Sequence, residues 1–251
     1  MNQAEFQAST PYGTFGTTAI DAPADARKTF IRKTYIHLTA AIYAFVALEW
    51  MLFSLRVDEW MMNMLGQSQW SWLIVLGGFM LVGTIADGWA RSTTSIGMQY
   101  VGLFLYVLAE SIIFLPLLAI AQGAAIEFQV IGDVSVIAVA AITTLVMFGG
   151  LTAAVFITGK DFSFLRTGLT IAGFAAMALI VVSIFADWSL GVWFSAGMVI
   201  FASVWILYST SNVLHHYRTE QYVAAALALF ASLALLFWYV LRIALAFSNR
   251  D

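Results

Sequence analysis

The sequence predicts an all-α integral membrane protein with seven transmembrane helices, on three observations. Hydrophobic residues make up 62% of the chain and charged residues only 10%, with a mean hydropathy of +0.89. A soluble fold has no way to hide that much apolar surface. Apolar segments recur along the chain, each close to the roughly 20 residues that a helix needs to cross about 30 Å of hydrocarbon. None shows the period-two alternation of a membrane barrel strand. The third observation is the concentration of Lys and Arg on one side of those segments, in every second connection.

Residues 1–30 are polar, rich in Thr, Ala and Gly, and carry Pro11 and Pro23. They read as a flexible cytoplasmic tail ahead of one membrane domain over residues 31–251. No apolar stretch of the kind a cleavable signal peptide needs lies in residues 1–25, so the first hydrophobic segment is expected to stay as a span. The segments cover residues 35–55, 70–90, 98–121, 134–157, 167–185, 188–214 and 222–247. Only Ala186-Asp187 separates the fifth from the sixth. Asp187 is costly at mid-bilayer, so a tight turn at the interface is expected there.

Placing the amino terminus in the cytoplasm puts Arg27, Lys28, Arg32, Lys33, Arg91, Lys160, Arg166 and Arg218 inside, and only Arg56, Arg242 and Arg250 outside. That asymmetry favours an internal amino terminus and an external carboxy terminus. The segment 122–133 holds Glu127 and Asp133 without a basic residue, as an external loop should. Trp60, Trp70, Trp72, Trp89, Trp188 and Tyr222 sit near span ends, where aromatic rings anchor at the interface.

The composition also excludes several classes. There is no cysteine, so disulfides and thiolate metal sites are ruled out. With a net charge of −3, nucleic acid is not an expected partner. There is no nucleophile motif, no phosphate-binding glycine loop and no His cluster at metal spacing, and His37 is the one span histidine. Catalysis and a cofactor are therefore not expected. Gly77-Gly78 and Gly149-Gly150 lie within apolar spans, where close helix packing is expected of them.

Polar groups inside hydrocarbon need partners, which makes the sixth span's run Tyr208-Ser209-Thr210-Ser211-Asn212 a marker of packing or of a site. Ser209 and Asn212 are candidates there, and Ser232 on the seventh span is a third. Its small neighbours Ala224 and Ala228 share its face at four-residue spacing. The serines either hydrogen-bond locally or reach across to Thr210 or Asn212. Glu110 is the strongest acidic candidate, midway along the third span and six residues before Pro116, whose missing N–H frees the Ile112 carbonyl. It faces the bundle either as a proton or cation site, or as a neutral hydrogen-bonded acid that fixes packing. Glu49, late in the first span, ranks lower. So does Arg242, which can snorkel outward as an anchor. His215 and His216 read as solvated link residues.

Three passages carry a family resemblance. They are Phe30-Ile31-Arg32-Lys33-Thr34-Tyr35 entering the first span, Gly159-Lys160-Asp161-Phe162-Ser163-Phe164-Leu165 between the fourth and fifth, and the closing stretch through Ala225-Ala226-Leu227-Ala228-Leu229-Phe230 to Leu241-Arg242-Ile243. In these the chain resembles the Bax inhibitor-1 family over about residues 30–247. The resemblance implies a bacterial inner-membrane protein whose seventh helix is central and surrounded by the other six, with Asp161 a lower-ranked site residue in the Lys-Asp-Phe-Ser-Phe-Leu loop. It also implies, for some members, a pH-sensitive calcium or cation leak that depends on an aspartate dyad on the last two helices. The matching positions here are Ser209 and Ser232, and hydroxyls neither titrate near neutrality nor hold a divalent ion as carboxylates do.

Two functional classes follow. One is a protein that sits in the bilayer and binds and modulates other integral membrane proteins, in membrane homeostasis or quality control. The other is a leak for Ca²⁺, another cation or H⁺ that uses Glu110 in place of the missing dyad.

Overall fold

A computed structural model describes residues 17–92, 95–128, 132–186 and 188–248. Its elements in chain order are α1 (Ala24–Ser54), α2 (Val57–Gln67), α3 (Gln69–Ala90), α4 (Ile96–Ala121), β1 (Ala125–Phe128), β2 (Gly132–Ser135), α5 (Val136–Thr158), α6 (Leu165–Phe185), α7 (Gly191–His215) and α8 (Tyr222–Ser248). Seven of the helices, all but α2, are long and apolar enough to cross a membrane. Asp187, where the tight turn was expected, and residues 1–16 of the expected tail lie outside the described residues.

Local signals set the boundaries. Ser68 and Ser95 cap α3 and α4, their hydroxyls accepting from the Trp70 and Met98 N–H groups. Helix α5 stops at Gly159, whose φ of 59° is open to glycine at little cost. Helix α1 starts at Ala24, earlier than the apolar pattern alone indicates, because residues 24–34 are good helix formers behind Pro23 with Asp25 in the first turn. Residues 17–22 are not a free tail either. Ala19 is buried, its N–H donates to the Tyr217 carbonyl at 2.9 Å, and Thr18 bridges to Arg218. The flexible segment expected to reach residue 30 therefore gives way to docked and helical chain from residue 17.

Helix α8 is the axis of the bundle. In its most apolar window 67% of residues are buried, against 6% for α6. It packs against α1, α3, α4, α5 and α7, while α6 stands at the edge on α7 and α3. Tyr222 at its start meets the His37 ring at 5.0 Å, and at its finish the Ser248 hydroxyl donates to the Ala125 carbonyl at 2.7 Å. It thus runs the full height of the bundle and is not re-entrant. The start of α1, the end of α3, the 159–164 loop and the 216–221 link share one end, which holds most of the basic residues and is called here the basic end. At the far end lie α2 and the antiparallel hairpin β1–β2, with Ala125 opposite Ser135. Met61 and Leu65 of α2 are buried together with Leu115.

Glycine is used in two ways. A methyl group at Gly102 would stand 2.5 Å from the Ala86 carbonyl oxygen and 2.6 Å from the Ala90 nitrogen, so α4 and α3 touch backbone to backbone. At Gly77, Gly78, Gly149 and Gly150 a methyl would meet nothing within 4 Å. The expectation that these two pairs serve packing within the chain is therefore wrong; they lie on the bundle's perimeter.

Candidate functional site

Five helices enclose a polar pocket of about 340 Å³ toward the basic end. Helix α7 supplies Trp205, Tyr208, Ser209 and Asn212; α6 supplies Arg166 and Thr170; α3 and its cap supply Asp87 and Arg91. Tyr106 of α4 and Tyr217 of the link complete the polar wall. Leu227, Ala228 and Ala231 of α8 form the apolar floor. The small side chains of α8 and the polar turn of α7 leave this volume open.

A charged relay organises one side. The Arg91 Nε donates to Asp87 at 2.8 Å, one helical turn back, and its guanidinium donates to the Tyr217 hydroxyl at 3.0 Å. Burial disfavours the Arg91 charge, but Asp87 and Tyr217 outweigh it and hold the guanidinium above its ordinary value. Burial pushes the Tyr217 hydroxyl up against the opposing pull of Arg91. Arg166 faces the same space, so the wall carries two cations and one carboxylate. Among the described residues no three His, Cys, Asp or Glu converge as metal ligands. Ca²⁺, which takes six to eight oxygens, finds no such set of ligands among the described residues of the pocket.

Of the sequence candidates, Ser209 and Asn212 face this pocket and Ser232 does not. The Ser232 hydroxyl is fully buried and donates to the Leu229 carbonyl at 2.8 Å, the local alternative among those expected. Thr210 is buried with its hydroxyl unpartnered. Ser211, absent from the candidates, pins the loop that carried the family resemblance. Its hydroxyl accepts from the Phe162 N–H at 2.8 Å. Asp161 in that loop accepts from the Ser163 N–H and stands 3.3 Å from the His216 ring nitrogen. Slight burial raises its carboxyl, yet Ser163 and the two neighbouring histidines hold it below the usual range.

Glu110 lies deeper. It is buried in α4 and hydrogen-bonded to Tyr106, one turn back toward the pocket. Beyond it the core is aromatic. Phe114 stacks on Phe237 at 5.6 Å and meets Phe45 edge-on at 5.3 Å, while Tyr106 meets Phe230 at 6.3 Å. Glu49 lines a separate cavity toward the far end, and Arg242 is half-buried near the end of α8. Neither joins the polar pocket. Asp87, Arg91 and Tyr217 were missed in the sequence. The acid-to-arginine spacing of four was the one signal available, since Tyr217 arrives only by tertiary folding.

The family model described as Inhibitor of apoptosis-promoting Bax1 matches residues 27–250. The chain is also 39% identical, over 110 residues, to an uncharacterized protein of Pseudomonas aeruginosa, PA2604. That match takes in 43% of this chain and 49% of the other, so the chain spans about half the length of the curated relative it matches. The family match runs through all seven spans, and the chain belongs to the Bax inhibitor-1 family.

Proposed function

We propose that this protein is a non-catalytic, multi-pass component of the bacterial inner membrane that acts by binding and modulating other integral membrane proteins. The observation that carries the reading is the uncovered glycine pairs. Gly77-Gly78 on α3 and Gly149-Gly150 on α5 lie bare on the perimeter. In lipid, small residues favour helix association because they let a second backbone come close. A helix of another protein fits there with no rearrangement of the bundle. The basic end faces the cytoplasm in this reading, as the Lys and Arg bias favours.

A second reading rests on the line from the polar pocket through Tyr106 to Glu110, which could relay a proton or cation. The aromatic core beyond Glu110 and the positive balance of the pocket weigh against it in this conformation.

Photo-reactive residues placed at Leu81 and Val146, each exposed and one turn from a glycine pair, test the first reading in native membranes. A discrete adduct with a membrane protein is expected, weakened when Gly78→Leu blocks the close approach. Lipid adducts alone at both positions would sink it.

A further inference from the structure

The far half of the bundle holds a second cavity, of about 360 Å³, between α1, α4, α5 and α8. That is within the range of small-molecule pockets. Its mouth opens on the perimeter, where Val46 of α1 and Leu145 of α5 are 57% and 52% exposed. Its walls are almost wholly apolar and include five phenylalanine rings, Phe45, Phe53, Phe114, Phe230 and Phe237. Into this space the chain places Glu49, 6% exposed, with neither carboxyl oxygen hydrogen-bonded. The buried Thr144 hydroxyl, also unpartnered, lines the same cavity.

A buried carboxyl without a partner is costly, and packing alone gives no reason to keep one where an apolar residue fits. We propose that this cavity is a binding site for an amphipathic organic cation, an alkylammonium whose head pairs with Glu49 and whose chain lies against the rings. Each part of the wall selects for that ligand. The carboxyl supplies the counter-charge, and aromatic faces attract ammonium groups, quaternary ones included. The remaining surface takes hydrocarbon. An acyl chain leaves both Glu49 oxygens unpaired. A phospholipid head brings a phosphate, and among the described residues no Lys or Arg lines the cavity to receive it. An inorganic cation needs several oxygens, and besides Glu49 the described residues of the wall offer only Thr144 and Gln122 as polar side chains. Glu49 stands five residues before the end of α1, about 7.5 Å along the axis, so a cation entering from the far end crosses little hydrocarbon. The inference is independent of the perimeter contacts proposed above.

The test is equilibrium binding of radiolabelled decyltrimethylammonium to the full-length protein in nanodiscs of zwitterionic lipid, with empty nanodiscs subtracted. Saturable binding is expected, displaced by unlabelled decyltrimethylammonium at concentrations at which decanol and decyl sulfate displace little. Glu49→Gln, with its melting temperature checked, should weaken binding at least tenfold. Equal displacement by decanol overturns the proposal, as does a folded Glu49→Gln protein that binds as tightly as the unmodified one. If Glu49→Gln does not fold, the competition on the unmodified protein decides alone.

Discussion

Glu110 and Glu49 are both carboxyls inside apolar helices, and their surroundings set them apart. Glu110 has a hydrogen-bond partner in Tyr106 within the same helix, whereas Glu49 faces an apolar cavity with none. A structural role for Glu110 predicts that Glu110→Gln, which keeps shape and hydrogen bonding, melts close to the unmodified protein in detergent. Glu110→Leu leaves the Tyr106 hydroxyl buried without that partner and should lose about 1 to 3 kcal/mol. Equal melting for both variants would remove Glu110 from the packing account. The acids and the polar run of α7 were legible in the sequence because polar groups stand out against hydrocarbon. Their partners were not, since Tyr217 reaches Arg91, and Phe162 reaches Ser211, only when distant segments meet at the basic end.

At the scale of elements, the seven spans were legible because hydrocarbon thickness fixes their length, and observed ends fall within a few residues of the apolar pattern except at α1. Helix α2 and the hairpin were not, being short pieces outside the hydrocarbon pattern, although Met61 and Leu65 at helical spacing hinted at the former. Glycines were the most ambiguous letters. In sequence, Gly102 and Gly78 are alike in being small residues within apolar helices, and only the fold shows that one is in backbone contact and the other bare. Gly102→Ala forces α3 and α4 apart and should cost about 1 to 3 kcal/mol. Gly78→Ala in isolated protein should stay within about 0.5 kcal/mol of the unmodified chain. Thermal melting of the two variants side by side checks this, and a harmless Gly102→Ala would mean that the α3–α4 contact is looser than described.

At the scale of the molecule, α8 is wrapped by five other spans, with a polar pocket on one side of Tyr106 and Phe230 and an apolar cavity on the other. The central place of this helix was legible from its being apolar all round, and from the family resemblance. The two cavities were not, because a cavity is set by what neighbouring helices leave unfilled. Under the proposed function the bundle acts through what binds to it and not through what crosses it. Calcium flux into liposomes holding the unmodified protein, followed between pH 6 and pH 8, tests that claim most directly. The account predicts flux no greater than that of protein-free liposomes across the range, since the Ser209 hydroxyl and the two arginines of the pocket offer a calcium ion no set of carboxylate oxygens. A robust flux that rises or falls with pH, and that Glu110→Gln abolishes, would contradict it.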